Sequence, residues 1–151
     1  MVSDVITASR ISPTRWASTG GSVAAGAEEG GELVADREGK RHRVLGILNE
    51  YWQLVLLFMG IANDALGWPQ GFIDLLVDAG YQVIRYDYRG TGLSDWMPDW
   101  KKTPYALGDL ARDAKLILDK LNIRKAHLVG VSMGGMVAQE FAIQFPQRAL
   151  T

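Results

Sequence analysis

Cysteine is absent from the 151-residue chain, which excludes disulfides, thiolate metal sites and a cysteine nucleophile. Histidine is scarce: His42 and His127 are the only two, so there is little material for a proton-shuttling base. Long apolar runs are missing too. The longest, Leu54 to Met59, is far too short to cross a bilayer, and no continuous apolar stretch has the form of a secretory signal. Charge of one sign is also lacking. With a net charge of −1, neither nucleic acid nor an anionic membrane is an expected partner. What remains, 48% hydrophobic and 22% charged, fits one soluble globular domain able to bury a core, expected in the cytoplasm.

The first thirty-one residues differ from the rest. Gly20-Gly21-Ser22-Val23-Ala24-Ala25-Gly26 and Gly30-Gly31 are small and flexible without sustained periodicity, so residues 1–31 are expected to form a loose or disordered tail. From Met1 to Ala27 the one acid, Asp4, stands against Arg10 and Arg15, but no amphipathic stripe supports an organelle-targeting peptide. Residues 32–151 are expected to hold the domain. At its start Gly39-Lys40 is a plausible turn between short strands Leu33–Asp36 and His42–Leu48, an antiparallel hairpin.

Beyond it strands and helices alternate. Trp52 to Phe58 is almost wholly apolar, as a strand covered on both faces must be. After a loop, Pro69 opens a helix with Phe72, Leu75, Leu76 and Ala79 on one face, and Gly80 closes it. Tyr81 to Tyr86 is the next strand. Thr103-Pro104 reads as the cap and first turn of a second helix. Its apolar positions are Leu107, Leu110, Ala111, Ala114, Ile117, Leu118 and Leu121, with Asp109, Arg112, Asp113, Lys115 and Asp119 opposite. Asn122 suits a left-handed helix end. Ala126 to Val131 is a third buried strand, and Gly135 to Phe145 a third helix stopped by Pro146. This alternation predicts an α/β fold, a parallel sheet with flanking helices and its functional groups at the strands' C-terminal ends.

Gly130-Val131-Ser132-Met133-Gly134 carries the chemistry. It matches G-x-S-x-G between a buried strand and an amphipathic helix, the setting of a nucleophile elbow. Side chains at positions 130 and 134 would collide in so tight a turn, and the serine is expected to be strained. Its hydroxyl would stand at the positive end of the following helix. An incidental serine in a glycine-rich turn would carry the same five residues. Acyl transfer also needs donors for the developing oxyanion. The Met133 amide is one candidate. The second is the Ile61 amide, in the loop beginning Met59-Gly60-Ile61, where Gly60 would let the backbone turn; an ordinary strand-end glycine is the alternative.

Asp87-Tyr88-Arg89-Gly90-Thr91-Gly92-Leu93-Ser94 looks like a dinucleotide fingerprint, but Asp95 stands where the third glycine is needed and no helix begins at once. It is expected to be a structural loop beside the site, with Asp87 and Arg89 bracing neighbouring loops.

Leu54 to Gly60, Leu66 to Pro69, Val83 to Asp87, Arg89 to Ser94 and Val129 to Gly135, in that order, resemble the α/β-hydrolase superfamily, and within it the aclacinomycin methylesterase-like group. The resemblance covers about two-thirds of the chain. It implies a Ser-Asp/Glu-His hydrolase of carboxylic esters or similar small acyl substrates, needing no cofactor and no metal. Ser132 would be its nucleophile, and the Ile61 and Met133 amides its oxyanion hole. Many relatives carry His-Gly where this chain has Met59-Gly60. The family's acid and histidine lie well downstream of the elbow, and this chain ends at Thr151. His127, five residues before Ser132 on the same strand, is expected to be a packed strand residue, and His42 a structural or solvated one. The chain therefore reads as the N-terminal half of a catalytic domain, inactive alone. The alternative is a catalytically inactive half-domain that only binds or pairs. In either case the 126–131 strand is expected to be an apolar sheet edge prone to self-association.

Overall fold

A computed structural model describes residues 32–35, 41–46, 53–99, 101–102 and 104–151. The tail expected over residues 1–31 lies outside the described residues, as do Trp52 and Thr103. The elements are β1 (Glu32–Ala35), β2 (Arg41–Gly46), β3 (Leu54–Phe58), α1 (Gln70–Asp78), β4 (Gln82–Tyr86), α2 (Leu107–Lys120), β5 (His127–Gly130) and α3 (Met133–Gln144). Short 3₁₀ turns at Ala65–Gly67 and Pro146–Arg148 supplement them.

Among the described residues the strands form one five-stranded sheet in the order β1-β2-β4-β3-β5. β1 pairs antiparallel with β2, and β2 with β4. β3 pairs parallel with β4 on one side and β5 on the other. The uninterrupted apolar run of β3 follows from this central place, because both its faces are covered. Leu54, Leu56 and Phe58 pack with Ile84, Tyr86, α2 and α3 on one face. Val55 and Leu57 pack with Trp68, Ile73 and Val83 on the other, under α1. Each such side chain contributes about 1.5–3 kcal/mol on full burial.

The winding reverses at β3. The chain passes from β3 through α1 to β4 on one side, then through α2 back across to β5 on the other. α1 and α3 thus cover opposite faces of the sheet. In open α/β sheets such a switch point, at the strands' carboxyl ends, is where ligands bind.

Helix ends follow local chemistry. Gly80 (φ 92°) and Asn122 (φ 56°) close α1 and α2 in left-handed conformation. The 6→1 bonds from Tyr81 N to Leu76 O and from Ile123 N to Leu118 O complete both caps. α2 begins later than Thr103-Pro104 implies. Its first residue is Leu107, because the Asp109 carboxylate turns back to accept the Ala106 amide at 2.8 Å.

Two faces also differ from the pattern. In α1, Ile73 is buried and Leu75 is 70% exposed. Apolar residues occupy so much of that helix that periodicity alone does not select the stripe. In α2, Asp113 is buried rather than solvated. The expected bare edge at β5 is half covered. Ala126 N–H donates to Arg148 O, Leu150 N–H to Ala126 O and Leu128 N–H to Thr151 O, at 2.8–3.0 Å, in a parallel bridge. Arg148 anchors this segment through the carbonyls of Ile123 and Arg124 and through Asp119.

Candidate active site

The elbow is built by β3 and β5 together. Val131 N–H donates to Phe58 O at 3.1 Å, extending the ladder one residue past β5. Ser132 follows with φ 53° and ψ −125°, a conformation that costs a non-glycine residue about 1–3 kcal/mol. It is the N-cap residue of α3, yet its hydroxyl makes no capping bond, and the residue is exposed. The Gly134 and Gly135 amides turn back to Val131 O and Ser132 O, each at 2.9 Å. The Met133 N–H, first of the helix, has no acceptor among the described residues.

Two glycines are required here, for different reasons. A Cβ on Gly130 would lie 2.3 Å from Gly134 O. A Cβ on Gly134 would lie 2.0 Å from Phe58 O and 2.6 Å from Met59 O. The first is the collision within the turn that the motif implies. The second comes from the neighbouring strand, against which the start of α3 is pressed.

The loop after β3 reaches the same place. A Cβ on Gly60 would stand 3.5 Å from both Ser132 Cβ and Val131 O, so Gly60 lies directly beside the serine. That is ordinary contact, and Gly60 has no positive φ. The left-handed residue of this loop is Ala62, at φ 62°. Between them Ile61 is 69% exposed, its carbonyl accepting Asn63 Nδ2 at 3.3 Å. Its amide, like that of Met133, has no acceptor among the described residues.

The loop after β4 braces this arrangement. Asp87 is fully buried: Oδ1 accepts the Ala65 amide at 2.8 Å and Oδ2 the Leu93 amide at 2.9 Å. Its carbonyl accepts Ser94 Oγ at 2.9 Å. Gly92 (φ 52°) is unavoidable, since a Cβ there would meet the Asp87 carboxylate at 2.2 Å. Arg89 forks onto Asp113 of α2. Asp87 braces a neighbouring loop as expected, whereas Arg89 braces helix α2 and not a loop.

Other proton carriers are poorly placed. His127 begins β5, at the end of the strand away from Ser132, with Nδ1 2.8 Å from Thr151 Oγ1 and Nε2 2.8 Å from Gln53 Oε1. Tyr81 meets its ring edge-on. His42 lies on β2, opposite Val34, separated from β5 by β4 and β3. Burial raises the Tyr86 phenol well above its usual 10.0, with Tyr88 and Asp113 adding to the effect. Burial raises Tyr88 as well. Both stay protonated at neutral pH. Among the described residues no group of three or more His, Cys, Asp or Glu is placed to hold a metal, and no helix is long and apolar enough to cross a membrane.

Comparisons with known proteins agree with this architecture. The chain is similar to rhodomycin D methylesterase DnrP from Streptomyces peucetius, 43% identical over 97 residues, covering 64% of this chain and 32% of the relative. It is also similar to a 2-hydroxy-6-oxononadienedioate/2-hydroxy-6-oxononatrienedioate hydrolase from Pseudomonas, at 37% over 97 residues, covering 63% and 33%. The chain thus spans about a third of the length of these curated relatives. Among solved structures, a hydrolase from Pseudomonas aeruginosa PA01 superimposes with a TM-score of 0.70 at 30% identity, over 81% of this chain and 44% of that one. Epoxide hydrolase A from Mycobacterium thermoresistibile gives 0.69 at 31%, over 80% and 36%. The model of the alpha/beta hydrolase fold matches residues 53–150, and the chain belongs to that family.

Proposed function

We propose that this chain carries the nucleophile of a serine hydrolase acting on a carboxylic ester or similar small acyl substrate, with the catalytic acid and histidine not supplied by these residues. One observation carries the reading. Ser132 is held in a strained, exposed conformation, its hydroxyl making no capping bond and having no partner among the described residues, where the loops after β3 and β5 meet. Ester chemistry draws support from the methylesterase relative.

In this reading Ser132 Oγ attacks the substrate carbonyl while its proton passes to a base, and the carbonyl oxygen becomes an oxyanion. The Ile61 and Met133 amides, both without other acceptors among the described residues, stabilise that charge, helped by the positive end of α3. Collapse expels the alcohol, protonated as it leaves, and gives an acyl-serine ester that water hydrolyses. The base is the missing part. Both ring nitrogens of His127 are occupied at the far end of β5, and His42 sits on β2, with β4 and β3 between it and β5. A serine without its base loses several orders of magnitude in rate.

A second reading, a pairing module, is favoured by β5 closing the sheet order with Leu128 and Val129 only half-buried and Gly130 exposed. Fluorophosphonate labelling and p-nitrophenyl acetate hydrolysis by the chain and by Ser132→Ala, with the oligomeric state measured alongside, separate the two. The hydrolase reading expects slow labelling confined to Ser132 and negligible turnover. Labelling that survives Ser132→Ala removes the serine from the mechanism. Robust turnover by a monomer, abolished in Ser132→Ala, means that a residue of this chain serves as the base and overturns the reading that none does.

A further inference from the structure

Asp87 is a buried carboxylate whose place the serine chemistry leaves unused. Burying such a group is expensive unless its oxygens accept hydrogen bonds, and bonds to the charged form are the strong ones. Both oxygens accept main-chain amides: Ala65 of the loop after β3 at 2.8 Å and Leu93 of its own loop at 2.9 Å. Withdrawing the Ala65 amide would leave a desolvated oxygen without that bond, so this contact is a firm anchor.

The anchor lies four residues from Ile61. Gly60 abuts Ser132 and Val131 at one end of the segment, and Ala65 is tied to Asp87 at the other. Between them Ile61, Ala62 and Asn63 are exposed, with one local bond, from Asn63 Nδ2 to Ile61 O at 3.3 Å, across Ala62. Ala62 holds φ 62°. A strained residue in an exposed segment persists only where its surroundings determine it. Here the two fixed ends act together with that bond.

We propose that Asp87 is a positioning residue of the hydrolytic site, fixing the 60–65 loop so that the Ile61 amide faces the oxyanion formed beside Ser132. This rests on the serine-hydrolase reading above. Asp87 acts through the loop and touches no substrate. Its effect falls on one oxyanion donor, since the Met133 amide is carried by α3 and does not depend on the loop.

The test uses the 151-residue chain labelled with ¹⁵N, with an alkyl fluorophosphonate as the probe, left to react to completion. The serine oxygen displaces fluoride from phosphorus, the hydroxyl proton passes to buffer, and the phosphoryl oxygen of the adduct stands where the oxyanion would. In the wild-type chain the probe is expected to shift both the Ile61 and Met133 amide resonances, and Ser132→Ala to abolish both shifts. Asp87→Asn replaces one acceptor oxygen by a donor. It is expected to lose most of the Ile61 response, keep the Met133 response and speed hydrogen exchange at Ala65 by about tenfold or more. Ala65→Pro removes the N–H that Asp87 accepts and sets the ring carbons beside that carboxylate, at a fully buried position. The extended Asp64 backbone (φ −99°, ψ −175°) suits a residue before proline, and position 65 opens a 3₁₀ turn. It should reproduce the selective loss even if Asp87→Asn does not fold. An undiminished Ile61 response in either folded variant overturns the positioning role and leaves the serine reading intact. A probe that moves neither amide in the wild-type chain overturns both.

Discussion

Arg89 reaches from the loop after β4 to α2 and closes on Asp113 with two parallel bonds, Nε to Oδ2 at 2.7 Å and Nη2 to Oδ1 at 2.5 Å. The Tyr105 ring lies 5.7 Å from the guanidinium carbon. The side chains are 13% and 5% exposed, so this is an interior pair that staples the Asp87–Ser94 loop to a helix on the far layer of the core.

Removing one side of such a pair takes the bidentate bond from the other, buried charge. Arg89→Met is expected to destabilise the fold by about 3–5 kcal/mol in urea unfolding, and Arg89→Met with Asp113→Leu to recover most of that loss. A single-substitution loss no larger than that of an exposed pair such as Lys102–Asp99 would mean that the bidentate contact is weak in solution.

The elbow glycines give opposite signs one residue apart. Gly134→Ala places a methyl 2.0 Å from Phe58 O and is expected to cost more than about 3 kcal/mol or abolish folding. At Gly135 the nearest atom to a new methyl is 3.5 Å away, and the residue lies within α3. Gly135→Ala should therefore stabilise by roughly 0.5–1 kcal/mol through helix propensity. Thermal melts of the two variants check the pair, and equal effects would contradict the geometry.

Ser132→Gly should separate stability from chemistry. Glycine adopts the 53° φ without penalty, so the variant is expected to be more stable by about 1 kcal/mol while losing all fluorophosphonate labelling. A lower melting temperature than wild type would show that the serine is not strained in solution.

Asp109 makes stability depend on acid. The Ala106 amide, with help from Arg112, holds its carboxyl below the usual 3.8 against the opposing pull of partial burial. A depressed native value means that the carboxylate stabilises the fold above its unfolded value and ceases to do so as pH falls through the native one. Thermal melts should show wild type exceeding Asp109→Asn by a constant margin above about pH 5, with the gap closing only below the ordinary carboxylate range. A gap independent of pH would rule out the helix-start bond as its source.

Local residues determined a good deal by themselves. The apolar run 54–58 required burial on both faces, Gly80 and Asn122 named the helix ends, and G-x-S-x-G between a strand and a helix located the strained turn at Ser132. Each of these signals is carried by neighbours within one turn or one strand, where period and backbone preference act. The tertiary structure decided the rest. It set β3 between β4 and β5, which placed the loop holding Gly60 against Ser132. It made the Phe58 carbonyl the reason for glycine at 134, put the left-handed residue at Ala62 rather than Gly60, and buried Asp113 against Arg89 on a helix face that reads as polar. It also laid residues 149–151 along β5, leaving less of that edge open than the strand pattern implies. All of these are contacts between segments distant in the chain, and the partner atom exists only once the strands have been ordered. A periodicity of two or of 3.6 residues says which side of an element is apolar; it carries no information about what stands opposite.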